Sequence, residues 1–156
     1  MAGDNVDPEW VRRPHKWDSR FLTRWMIVFG TVSSVFDLLT FAILLLVFRA
    51  GKTEFRTGWF MESLLTELVI ALVVRTRRPF YRSRPGAMLL LSSLAIIAIT
   101  ALLSQIPLGS RFGFVPLPFS LWLAVAGLTI LYVIGTELTK SAFYARFPQD
   151  LEIKVP

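Results

Sequence analysis

An all-α, multi-pass membrane bundle of four helices, with both termini cytoplasmic, is the fold class predicted by three features of this sequence. First, 54% of its 156 residues are apolar, a share that belongs to membrane proteins rather than to a small soluble domain. Second, the apolar residues gather into runs at about 22–48, 59–74, 88–106 and 119–138. Each run is close to the ~20 residues a helix needs to cross a hydrocarbon core of about 30 Å. Third, the basic residues behind the formal net charge of +6 cluster between the runs, as expected of residues that anchor to anionic headgroups rather than to nucleic acid.

Residues 1–21, MAGDNVDPEWVRRPHKWDSRF, form a polar arm before the first span. Pro8 and Pro14 disfavour a continuous helix there. Arg12, Arg13, Lys16, Arg20 and Arg24 stand among Trp10, Trp17 and Trp25, the composition of a cytoplasmic segment at a headgroup surface. The arm is not a signal peptide, because the run that follows is too long for an h-region and no small-residue cleavage site comes after it. His15 is the single histidine and reads as a surface imidazole rather than a metal ligand or a base. With no cysteine in the chain, disulfides, thiolate metal sites and cysteine catalysis are excluded.

The first span, Leu22 to Phe48, carries Asp37 deep inside it. A carboxylate there costs about 2.5–3.5 kcal/mol on insertion scales, so it should face protein or water and not lipid. At helical spacing Gly30, Ser33, Asp37 and Thr40 share a face, which predicts the packing face. A polar connection at 49–58 with two glycines precedes the second span, Trp59 to Val74, which holds Glu62 and Glu67. Glu62, within a turn of Trp59, is expected at the wet end and Glu67 near the middle. In an antiparallel pair Asp37 and Glu67 lie at comparable depth. Two carboxyls at one level invite a shared proton, a cation or a basic partner.

The segment RTRRPFYRSRP contributes Arg75, Arg77, Arg78, Arg82 and Arg84. It sets the topology: by the positive-inside rule this loop and both termini are cytoplasmic. The third span, Met88 to Ile106, has no charge and is expected to be structural. The loop IPLGSRFGFVPLP, with Pro107, Pro116 and Pro118, is expected to be a rigid turn rather than another element. In the fourth span, Phe119 to Leu138, a small-residue face of Ser120, Ala124, Gly127 and Gly135 suggests close packing. Glu137 and Lys140 are expected to form an exposed interfacial ion pair of little weight, and the tail, with residues 148–156 as its cytoplasmic end, is expected to fray.

The sequence has no phosphate loop, no dinucleotide fingerprint and no serine, histidine and acid set, so no catalytic or cofactor-binding residue is assigned. A metal-ligand set is not specified. What remains for chemistry is the trio Asp37, Glu62 and Glu67, as an ion path or as protonated acids that hold helices together.

The phrases VDPEWVRRPHKWD, FGTVSSVFDLLTF, GWFMESLLTELVI, VVRTRRPFYRSRP and VPLPFSLWL, in that order, resemble the C-terminal membrane region of magnesium-transporting P-type ATPases from about Asp4 to Phe147. The resemblance implies the last four of ten membrane helices, with residues 22–147 as a C-terminal-like domain. Asp37 then matches the acid of the family's SSxFD phrase. Glu62 matches an acidic eighth-helix position that contributes to the ion site in some relatives, and Glu67 stands where magnesium pumps often have glutamine. The family's DKTG, TGE and GDGxND motifs are absent, so the chain looks like the end of a pump without its engine: a split or truncated gene product, a misplaced start or a remnant. It is expected to be no enzyme alone and to hold no cofactor, magnesium and ATP being implied only for a complete pump. Its expected partners are the bilayer of the cell membrane and the remaining helices and cytoplasmic domains of such a pump, or further copies of itself, and no nucleic acid. An alternative from another class is a small autonomous proton-coupled transporter or channel acting as an oligomer.

Overall fold

A computed structural model describes residues 19–76 and 85–147. The arm before Ser19, the residues Arg77, Arg78, Arg82 and Arg84, and the tail 148–156 lie outside the described residues. Helix α1 spans Ser19–Ala42 and runs on into a π-helical turn, Ile43–Val47. Helix α2 spans Lys52–Val74, α3 spans Ala87–Gln105, the short α4 spans Pro107–Arg111, and α5 spans Phe119–Arg146. Among the described residues there is no strand, and four helices are long and apolar enough to cross a membrane: α1 with its π turn, α2, α3 and α5.

Helix α1 ends by widening. The N–H of Phe48 donates to the Ile43 carbonyl at 3.1 Å and that of Ala50 to the Leu44 carbonyl at 2.9 Å, around Arg49 with φ of 48°. This five- and six-residue closure satisfies carbonyls that the end of a helix leaves open. It also turns Leu44 inward while Leu45, Leu46 and Val47 stay on the surface. Helix α2 then starts at once, earlier than the polar composition of 49–58 suggests. The reason is local: Gly51 sits in an extended conformation at the N-cap, and its N–H donates to the Glu54 carboxylate at 3.0 Å, half of a capping box. Polar residues at a membrane surface are as compatible with helix as with loop once the first turn is capped.

The core lies at this end of the bundle, where Leu44, Met61, Leu117, Leu121 and Val125 bury one another. Gly58 makes it possible: a Cβ there would come within 3.1 Å of Leu121 and 3.2 Å of Leu44. The connecting glycine of the sequence is thus an inter-helix contact inside α2. The proline-rich loop folds back onto α2, where the Arg56 guanidinium donates to the Gly113 carbonyl and the Val115 N–H to the Thr57 hydroxyl at 3.1 Å. The loop is not merely a turn. It contains α4, which Pro107 opens at its first position, and Gly109 is packed so closely that a Cβ would lie 1.9 Å from the Leu103 carbonyl oxygen.

Helix α5 is the spine. It buries Leu121, Val125, Leu128, Tyr132, Thr136, Lys140 and Phe143, a stripe at three- and four-residue spacing that faces α1 and α2. The small-residue face is not the packing face: a Cβ on Gly127 would meet nothing within 4 Å, Ser120 is exposed, and only Gly135 receives a neighbour, the Phe36 ring at 3.2 Å. On α1 the expected face does turn inward at Ser33, Asp37 and Thr40, while a Cβ on Gly30 would meet nothing within 4 Å. Large side chains hold α5 in place, Leu121 against Gly58 of α2 and Phe36 of α1 against Gly135. Helix α3 leans on α2 and α4, burying only Ser93 and Ser104.

Candidate functional site

At mid-height the three helices α1, α2 and α5 diverge around a cavity of about 190 Å³. Asp37 comes from α1, Glu62, Ser63, Thr66 and Glu67 from α2, and Tyr132 from α5. The Ser33 and Tyr132 hydroxyls share a hydrogen bond of 2.8 Å, which ties α1 to α5 beside the cavity, and Phe36 stands edge-on to the Tyr132 ring at 5.2 Å. Thr40 and Thr66 spend their protons on their own helices: Thr40 donates to the Phe36 carbonyl at 2.9 Å, Thr66 to the Glu62 and Ser63 carbonyls at 3.1 and 3.0 Å. Their oxygens remain as acceptors beside the acids.

Of the two glutamates, Glu62 departs from expectation. Glu62 is 1% exposed and not at a wet end, because the helix begins at Lys52, well before Trp59, and Glu62 lies on the face turned to α1 and α5. Glu67 is exposed at the cavity mouth, and Asp37 is half-buried. One carboxylate oxygen of Glu62, Oε2, is buried without a hydrogen-bond partner. Among the described residues no basic side chain lines the cavity. Among the described residues no three acidic or imidazole groups stand close enough together to hold a metal ion. The arrangement can take up protons, polar solvent or a cation with incomplete protein ligation.

A second polar cluster lies at the end of the bundle marked by Arg75. Lys140 is 4% exposed, and its Nζ donates to Glu137 Oε1 at 2.7 Å and to the Val73 carbonyl at 3.0 Å. This corrects the expectation of an exposed pair of little weight. The residues Ser141–Arg146 continue α5 instead of fraying, so Lys140 is held inside the bundle, where it caps the C-terminus of α2. Around it Phe143 packs edge-on against Phe21 at 5.5 Å and Phe29 at 6.4 Å, and Arg24 lies over the Phe147 ring at 5.1 Å. Tyr132 and Lys140 were not singled out from the sequence as site or packing residues. Their signal was there in the stripe Leu121, Val125, Leu128, Tyr132, Thr136, Lys140, which competes with the small-residue stripe on the same helix.

Residues 1–142 match the family model described as cation transporting ATPase, C-terminus. The chain belongs to this family. It is 35% identical over 154 residues to the magnesium-transporting ATPase, P-type 1, of Salmonella typhimurium strain LT2, which covers 96% of this chain and 17% of that protein. The protein of the same name from Escherichia coli K12 is 36% identical over 148 residues, covering 92% of this chain and 16% of that protein. The chain therefore spans about one sixth of the length of the curated relatives it matches. The carboxyl cavity and the Lys140 cluster accordingly sit in a membrane module of the cation-transporting P-type ATPase family.

Proposed function

We propose that this module is the fixed membrane support of a magnesium-transporting P-type pump and that Asp37 and Glu62 border the cation path. The observation that carries the reading is the cavity: three carboxyls from two helices around one polar space, closed by Tyr132 from a third. Intramembrane acids that face a bundle interior are the usual marks of an ion or proton route. The rigidity needed of a support comes from elsewhere, the Leu44–Leu121 core at one end and the Lys140 cap at the other. Magnesium is taken from the names of the relatives.

In this reading the chain hydrolyses no ATP and holds no cofactor of its own. ATP, its magnesium and the phosphorylated residue belong to the cytoplasmic domains of the complete pump. The module lies in the cell membrane with the Arg75 end, and so both termini, in the cytoplasm, by the charge asymmetry of Arg75, Arg77, Arg78, Arg82 and Arg84. The family match favours a pump module over an autonomous transporter.

The test is cation uptake by the assembled pump in cells depleted of magnesium, with co-purification as the measure of assembly. Asp37→Asn and Glu62→Gln keep shape and remove charge, and each is expected to abolish most uptake while assembly persists. Unchanged uptake in both variants would remove the two acids from the cation path and leave a purely structural module.

A further inference from the structure

Glu67 is an exposed acid on a membrane-spanning helix. It lies seven residues before Val74, the last residue of α2, which puts it about 10 Å along the helix from that end. Elsewhere the exposed mid-helix surface is what lipid requires: Val35 and Leu38 on α1, Leu94 and Ile99 on α3, Ile130 and Ile134 on α5. At the mouth of the cavity stands Glu67, among the described residues the one acid that is exposed. Behind it the buried Glu62 Oε2 has no hydrogen-bond partner, so the same opening also leaves an inner acceptor unanswered.

We propose that this mouth, formed by Glu67 and Asp37, is the docking surface for a membrane-spanning segment outside these 156 residues that presents a lysine or arginine to Glu67. The argument is charge complementarity. Among the described residues the cavity lining is acidic with no basic side chain, Lys140 is engaged by Glu137 and the Val73 carbonyl at the end of the bundle, and Arg56 is engaged by Gly113. Acyl chains would leave the carboxylate desolvated at a cost of about 2.5–3.5 kcal/mol. A second copy docked on this face by two-fold symmetry would set acid against acid. A basic side chain on such a segment answers Glu67, and a desolvated opposite charge is worth more there than in water. The proposal rests on the reading of the chain as a module of a larger membrane assembly, but not on magnesium or on contact between Asp37 and the cation.

The chain has no cysteine, so one introduced thiol is unique. Ala71→Cys, one turn along the same face with Glu67 intact, is labelled in native-host membranes with a photoactivatable maleimide. Leu94→Cys on α3 is the control. Mass spectrometry of the adducts is expected to find, for Ala71→Cys and not for the control, one membrane segment with lysine or arginine within a helical turn of the attachment point. Glu67→Gln should then lower recovery of that segment about tenfold, and exchanging the charges, Glu67→Lys with the partner's base made glutamate, should restore it. Adducts to lipid alone, to a second copy of this chain, or to a segment without a basic residue overturn the proposal. A failure of Asp37→Asn to alter uptake would remove the cation-path reading and leave these adducts unchanged.

Discussion

Helices α3 and α5 are both apolar enough to span a membrane, yet one is peripheral and the other is the spine. Helix α5 buries seven side chains, among them Tyr132, Thr136 and Lys140, whereas α3 buries two serines and leaves Leu91, Leu94, Ile99 and Leu102 on the surface. The difference teaches that hydrophobicity selects the membrane but not the neighbour. Lipid tails are as apolar as leucine, so helices gain by leaving lipid only where side chains interlock or polar groups meet. Helix α5 offers both along one stripe. Helix α3 offers neither beyond a narrow strip, and its serines answer themselves: Ser104 donates to the Ala101 carbonyl at 2.7 Å and Ser92 to the Leu89 carbonyl at 3.0 Å.

The contrast can be broken most forcefully at the α5 core. Leu121→Ala removes a side chain that is 1% exposed and touches both Leu44 and the Gly58 surface. It is expected to cost about 2–5 kcal/mol in reversible unfolding of the full chain in bilayers or mixed micelles. The next largest loss is expected from Lys140→Met, which removes the ammonium 2.7 Å from Glu137 and uncaps the Val73 carbonyl. Because Glu137 keeps some access to water, being 19% exposed, the cost should fall at or below the lower end of the range for a broken buried pair, about 3 kcal/mol. Hydrogen exchange should localise the damage to the last turn of α2. If Lys140→Met unfolds no more easily than wild type, the cap is ornamental.

Tyr132→Phe sharpens the comparison at a smaller scale. It deletes the hydroxyl shared with Ser33 at 2.8 Å but keeps the ring against Phe36, so about 0.6 kcal/mol is the expected loss, the mean for such bonds between membrane helices. Ser33→Ala should cost a similar amount, and the double variant little more than either single one, since the two hydroxyls are partners. The smallest effect belongs to α3. Leu94→Ala on its exposed face is expected to change unfolding by less than about 0.5 kcal/mol. A loss like that of Leu121→Ala would mean that α3 is a structural equal of α5 and would remove the contrast.

Much of the architecture was legible in the sequence. The four spans, their order and the helical class follow from apolar runs of bilayer length, because a backbone in hydrocarbon must satisfy its own hydrogen bonds and a helix does so within one segment. The α3 boundaries agree to within one residue at each end, Ala87–Gln105 against 88–106, since Gly86 and Pro107 bracket them. The boundaries of α2 and α5 were misjudged where polar residues continue a helix past the apolar run, as Lys52–Gly58 and Thr139–Arg146 do. Composition reports solvent, and both segments stand where solvent changes while the backbone pattern does not.

The candidate site divides in the same way. That Asp37, Glu62 and Glu67 need shelter was fixed by their charge and their position in apolar runs. Which of them receives it was decided by rotation: one α2 face turns Glu62 inward and Glu67 to the surface. Local spacing marks only a stripe, Gly58, Glu62 and Thr66 at four-residue intervals, and not which neighbour it meets. The rotation is set by Gly58 and Met61 meeting Leu44 and Leu121 a turn or more away. By itself, then, the sequence determined the solvent of each segment, the number of crossings and the residues whose burial must be compensated. Only the tertiary structure decided the partners, because in a bilayer the hydrophobic effect is spent on entering the membrane. What is left to choose neighbours is the fit of particular side chains and the pairing of a few polar groups.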